Sequence, residues 1–152
     1  MPADRYIESL DRAVIETLES MCFAEATIAA EVDTPQPLRT MVRFAGDETG
    51  CLELRIGRST ARDLAASFLG IDQTDLDAEQ ITSVCKELTN MICGAMVSFA
   101  RPRGHFDLRS PEIRTGPDMD GDWTFVRMYT IDDAPVQIAV ECAQRKQAES
   151  PG

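Results

Sequence analysis

The sequence predicts an α+β fold, with helices packed on one face of a mostly antiparallel sheet. Three observations lead there. Apolar residues recur at helical spacing in three segments and alternate in others, and the order runs helix, strands, helix, helix, strands. Glycine, proline and aspartate clusters separate those segments. The length, 152 residues, suits one domain. We assign residues 1–143 to that domain and the polar stretch 144–152 to a C-terminal tail.

From Asp4 to Met21, the residues Ile7, Leu10, Val14, Leu18 and Met21 give a one-sided helix. Phe23 to Val32 scatters β-branched residues with partial alternation and reads as a strand, and Thr34-Pro35-Gln36-Pro37 breaks the chain. Leu38 to Ala45 and Cys51 to Ile56 are strands joined through Gly46-Asp47-Glu48-Thr49-Gly50, which predicts a hairpin. A second helix spans Ser59 to Leu69, with Ser59 or Thr60 as its cap and Gly70 as its stop. Ile71 to Leu76 is a polar connection. Asp77, with Gln80 three residues later, opens a third helix in a capping box, and that helix runs to Phe99 or Ala100. His105–Arg109, Trp123–Ile131 and Val136–Cys142 are strand-like, the last two joined by a turn at Asp132-Asp133-Ala134-Pro135. The repetition of a helix followed by a strand hairpin is too faint to count as a repeat.

Composition excludes several function classes. Fifteen Lys and Arg stand against 26 Asp and Glu, a formal charge of −11. Nucleic acid and anionic membrane surfaces both call for a basic face, so neither is an expected partner. No apolar run reaches the roughly 20 residues of a spanning helix, and the first residues show no secretory leader. A cytoplasmic protein is expected. Five cysteines without a CxxC pair indicate neither a zinc ribbon nor a redox centre, and are expected to be structural.

The third helix carries the chemistry. Ile81, Val84, Cys85, Leu88, Met91, Ile92, Ala95, Met96 and Phe99 form one broad apolar face, and opposite it Ser83, Glu87, Asn90 and Gly94 share one ridge. A glycine inside a helix costs about 1 kcal/mol relative to alanine, and its bare backbone admits a close neighbour. The plain alternative is a solvated polar face, with Gly94 making room for another element of the same chain.

Glu87-Leu88-Thr89-Asn90-Met91-Ile92-Cys93-Gly94 resembles the ExxNxxxG helix of the CheC, CheX and FliY chemotaxis phosphatases, with Ser83 at the small or acidic position before the Glu. Gly50 to Ile56 and Ala61 to Gly70 resemble the strand and helix that precede it, and the element order matches from Tyr6 to Cys142. The resemblance implies a protein phosphatase, a hydrolase acting on the aspartyl phosphate of a CheY-like response regulator in chemotaxis or another two-component pathway. It implies that Asn90 orients the attacking water and Glu87 docks the partner through a basic residue, with Ser83 and Gly94 also at the partner surface. Mg²⁺ would sit on the receiver, so no metal or other cofactor is expected here. In the first helix the matching stretch is Glu16-Thr17-Leu18-Glu19, with Phe23 where the glycine would stand. A carboxylate at Glu19 would meet the phosphoryl group with like charge, so one active pair is expected, as in CheX. By the same analogy the chain is expected to be a homodimer. The rival expectation is a non-catalytic scaffold domain for a receiver or motor component.

Other candidates are weaker. Asp118-Met119-Asp120-Gly121-Asp122 resembles a calcium loop but has Tyr129 where the bidentate Glu belongs, and is expected to be an acidic turn. His105, the only histidine, is expected to be structural, and Trp123 to anchor the core or a dimer contact.

Overall fold

A computed structural model describes residues 2–29, 37–115 and 123–143. Among them the elements are α1 (Pro2–Cys22), β1 (Ala26–Ile28), β2 (Leu38–Gly46), β3 (Thr49–Ile56), α2 (Arg58–Leu69), α3 (Ala78–Ala100), β4 (Phe106–Leu108), β5 (Glu112–Ile113), β6 (Phe125–Ile131) and β7 (Ala134–Ala143), with a 3₁₀ turn at Gln73–Asp75. The strands form one antiparallel sheet in the order β1-β6-β7-β3-β2-β4, and β5 also pairs with β2. The fold is α+β, as expected.

Strand alternation fixes which side the helices cover. Leu38, Val42 and Phe44 of β2, Leu52, Leu54 and Ile56 of β3, and Val136, Ile138 and Val140 of β7 join one core with Leu10, Val14 and Leu18 of α1 and Leu88, Ile92 and Met96 of α3. Arg5 Nη1 donates to the Ala100 carbonyl at 3.4 Å, so α1 begins where α3 ends and the two run antiparallel. Arg127 and the Tyr129 hydroxyl both donate to Asp11, at 2.6 Å for the shortest bond of each, and tie α1 to β6. Tyr6 donates to Glu48 and fixes the start of α1 against the β2–β3 turn.

The capping box forms as the sequence predicts. The Gln80 amide donates to Asp77 Oδ1 at 2.7 Å, and the Asp77 amide donates to Gln80 Oε1 at 2.9 Å. Asp77→Ala is expected to cost about 1 kcal/mol of stability, read as a lower urea midpoint with unchanged slope. An unchanged midpoint would show that α3 does not depend on this cap.

Several boundaries differ from expectation. The strand expected over Phe23–Val32 is the three-residue β1 within the described residues, because α1 ends at Cys22 and Phe23 turns into the left-handed region at φ 54°. The expected breaker falls largely on residues 34–36, outside the described residues. Neither Ser59 nor Thr60 caps α2. The helix starts earlier, Gly57 stands at its N-cap without a side-chain bond, and Gly70 ends it at φ 69°. The β2–β3 turn narrows to Asp47-Glu48. Gly46 is required there, since a Cβ on it would lie 2.0 Å from the His105 carbonyl oxygen. The β6–β7 turn is the pair Asp132-Asp133, at φ 51° and 68°, and so resembles a primed hairpin turn. β5 was not expected at all. The acidic stretch 118–122 and the tail 144–152 lie outside the described residues.

The sheet face away from the core is also covered at its centre. Met41 and Ala139 are fully buried there, and so is Glu53 at 1% exposure. Arg55 Nε donates to Glu53 at 2.7 Å, and Arg114 lies 3.8 Å from its second oxygen. The Arg55 guanidinium rests over Trp123, 5.2 Å from the ring centroid. Trp123 is therefore half-buried against a polar network outside the apolar core.

Candidate functional site on the third helix

The helix α3 lies on β2 and beside α1. Its rotation is set by a buried pair of hydroxyls. Thr89, fully buried, donates to the Cys85 carbonyl at 2.7 Å, and its Oγ1 lies 2.5 Å from Oγ1 of Thr40 on β2. The Thr89 side chain sits between Leu88 and Asn90 in sequence. Pinning it to the sheet turns its neighbours on the ridge outward.

The buried arc of α3 is displaced from the one expected. Ile81, Val84, Cys85, Leu88, Ile92 and Met96 are buried as predicted, but Met91, Ala95 and Phe99 are half-buried. Thr89, Cys93, Val97 and Ala100 are buried instead. The reason is the neighbour on that flank: Phe99 packs at the α1 side, where the Arg12 guanidinium lies 3.9 Å from its ring centroid. Periodicity locates an apolar face, but the width of each flank depends on what packs beside it.

The ridge itself faces outward. Ser83 and Glu87 are exposed, and Asn90 and Gly94 are half-buried. Among the described residues, no hydrogen bond or ion pair holds the side chains of Ser83, Glu87 or Asn90. A carboxylate and an amide one helical turn apart are thus free to meet another molecule. A Cβ built on Gly94 would meet only Leu108 Cδ2, at 3.7 Å, an ordinary contact. Leu108 of β4 is thus the neighbouring element beside Gly94, at a distance that does not itself require glycine.

The first helix offers no matching pair. Glu16 is held by Arg12 at 2.9 Å, Thr17 is buried, Glu19 is exposed, and Phe23 lies one residue past the end of α1. His105 is exposed at the start of β4, where its amide donates to Asp47 Oδ2 at 3.2 Å. All five cysteines are free thiols; four are buried and Cys142 is half-buried. Burial pushes Cys22 and Cys51 up to about 11, and Cys85 up to about 12. They are poor nucleophiles at neutral pH. Among the described residues no cluster of His, Cys, Asp and Glu could hold a metal ion, and no helix is long and apolar enough to cross a membrane.

The sequence profile of the chemotaxis phosphatase CheX family matches residues 38–124, more than half of the chain, including all of α3. The chain belongs to the CheX family. No curated protein matches it in sequence. Solved CheX structures share its fold. The chemotaxis protein CheX from Desulfovibrio desulfuricans superposes with a TM-score of 0.75 at 14% identity, over 91% of this chain and 99% of that one. CheX from Vibrio vulnificus gives 0.76 at 14% identity, over 91% and 96%. CheX from Borrelia burgdorferi, solved in a complex with CheY, BeF₃ and Mg²⁺, gives 0.75 at 18% identity, over 91% and 98%.

Proposed function

We propose that this CheX family member hydrolyses the aspartyl phosphate of a CheY-like receiver. The observation that carries the proposal is the α3 ridge, where Glu87 and Asn90 stand outward without partners among the described residues, above a hydroxyl pair that ties the helix to the sheet. Phosphoryl transfer needs positioning and charge stabilisation more than covalent chemistry. Asn90 orients the attacking water through its amide, which is neutral and does not repel the phosphoryl oxygens. Glu87 pairs with a basic residue of the receiver and holds the docked geometry. Ser83 and Gly94 complete the contact, Gly94 by letting the receiver's backbone come close. Mg²⁺ belongs, on this proposal, to the receiver's own acidic pocket. The crystallised partnership of the Borrelia burgdorferi protein with CheY supports a receiver as partner. A homodimer in the cytoplasm is part of the same proposal.

The test is a screen of phosphorylated receivers from the same organism for accelerated phosphate loss, followed by Glu87→Ala on the pair that responds. Loss of a docking ion pair is expected to raise KM about tenfold or more while kcat changes little. An unchanged KM would remove Glu87 from the docking role. A receiver that binds but keeps its phosphate would favour the scaffold reading.

A further inference from the structure

Away from the α3 ridge, a second feature is unexplained by anything among the described residues. Phe23 is 84% exposed, while among the described residues the next most exposed large apolar side chain, Ile28, is at 46%. Its backbone is held at φ 54° while the Ala24 amide returns to the Leu18 carbonyl at 3.0 Å. A bulky side chain is unfavourable at this conformation, where glycine is the ordinary choice. The chain therefore carries both an exposed aromatic ring and a strained backbone at one residue.

Phe23 also forms one lip of a groove of about 440 Å³, bounded by the end of α1, the first turns of α2 and the β6–β7 turn. The groove presents Glu25, Asp132 and Asp63, which accepts from Gln73 Nε2 at 2.7 Å, together with the hydroxyls of Ser59, Thr60 and Ser67, and among the described residues no Lys, Arg or His lines it. Asp133, next to Asp132, is exposed as well. An aromatic anchor beside an acidic, hydroxyl-lined cleft has a definite complement. A second copy of the chain would bring the same carboxylates against these, and nucleic acid or an anionic bilayer would be repelled. We propose that Phe23 and this groove bind a Lys- or Arg-rich segment of a partner protein that also carries apolar side chains, with Phe23 as the anchor and the carboxylates selecting the charge.

Phe23→Gly tests this without endangering the fold, since glycine suits the left-handed backbone. The probe is a short fluorescent peptide of alternating Lys and Leu, titrated by anisotropy against the full chain, with a Glu–Leu peptide as control. The Lys–Leu peptide is expected to bind, to weaken with salt, and to shift the amide resonances of Ser59, Thr60 and Ser67. Binding is expected to fall about tenfold or more in Phe23→Gly and to weaken in a Glu25→Gln, Asp132→Asn double variant, while the Phe23→Gly melting temperature does not fall. Equal affinity of both peptides, or full affinity in both variants, would overturn the proposal. So would a Phe23→Gly chain whose sedimentation changes while its peptide affinity does not, because the ring would then be covered by a second copy.

Discussion

An Asn90→Ala chain is expected to dock its phosphorylated receiver as tightly as before and to lose about a hundredfold or more of the catalysed phosphate loss, because misplacing a reactant by an ångström costs on that order. The separation of binding from rate follows from the side chain's surroundings. Asn90 is half-buried and makes no bond within the described residues, so its removal orphans no partner and leaves the fold at its original stability. Only the water it is proposed to hold is lost. Asn90→Asp sharpens the test. The two side chains have nearly the same shape, but the carboxylate places a negative charge against the phosphoryl group. It is expected to be as inactive as the alanine variant and to dock more weakly. Single-turnover decay of a phosphorylated receiver reads the rate, and titration with a non-hydrolysing receiver variant reads the docking. Unchanged decay with Asn90→Ala would refute the assignment of the water to this amide.

What the chain reveals before folding, and what it withholds, can be traced to particular residues. The α3 helix, its Asp77–Gln80 box and its outward ridge were legible because each rests on spacing within one helix. The β2–β3 hairpin was legible from alternation and turn chemistry. The misses are tertiary. Nothing local says that Phe23 takes a left-handed conformation and ends α1, which shortens the expected strand to β1. The two-residue β5 exists only through its pairing with β2. Glu53 reads as the polar side of an alternating strand, yet it is buried on the second sheet face under Arg55 and Arg114, a partner distant in sequence. At the site, periodicity marks the ridge, and the family resemblance singles out Glu87 and Asn90 on it. The Thr40–Thr89 contact that orients the ridge joins residues far apart in the chain, and a lone threonine in an apolar helix face gives no signal of it.

Stability is expected to fall steeply with rising pH above about 9, and the cause is the set of buried thiols. Burial, with Glu141 adding to it, holds Cys51 up at about 11; burial alone holds Cys22 there, and burial with Cys22 nearby holds Cys85 at about 12. Burial with Glu48 holds Cys142 at about 12, and Cys93, fully buried behind the ridge, is also pushed up by burial. Tyr6 and Tyr129 shift in the same direction, through burial and their bonds to Glu48 and Asp11. The sign is the same for all of them. Once the pH passes the ordinary thiol value the unfolded chain has released protons that the folded chain keeps, so the unfolded state is favoured. Each such group removes about 1.4 kcal/mol per pH unit until its own folded-state value is reached. Below about pH 8 both states keep their thiol protons, and the folded chain is insensitive to pH on this account. Urea midpoints are therefore expected to be level from near neutrality to about pH 8 and to drop sharply by about pH 10.5. Cys93→Ala should show a shallower fall from a lower starting stability. A level midpoint through the alkaline range would mean that the thiols are reached by solvent. The thiols of Cys85 and Cys93, on the buried side of α3, therefore keep their protons at neutral pH.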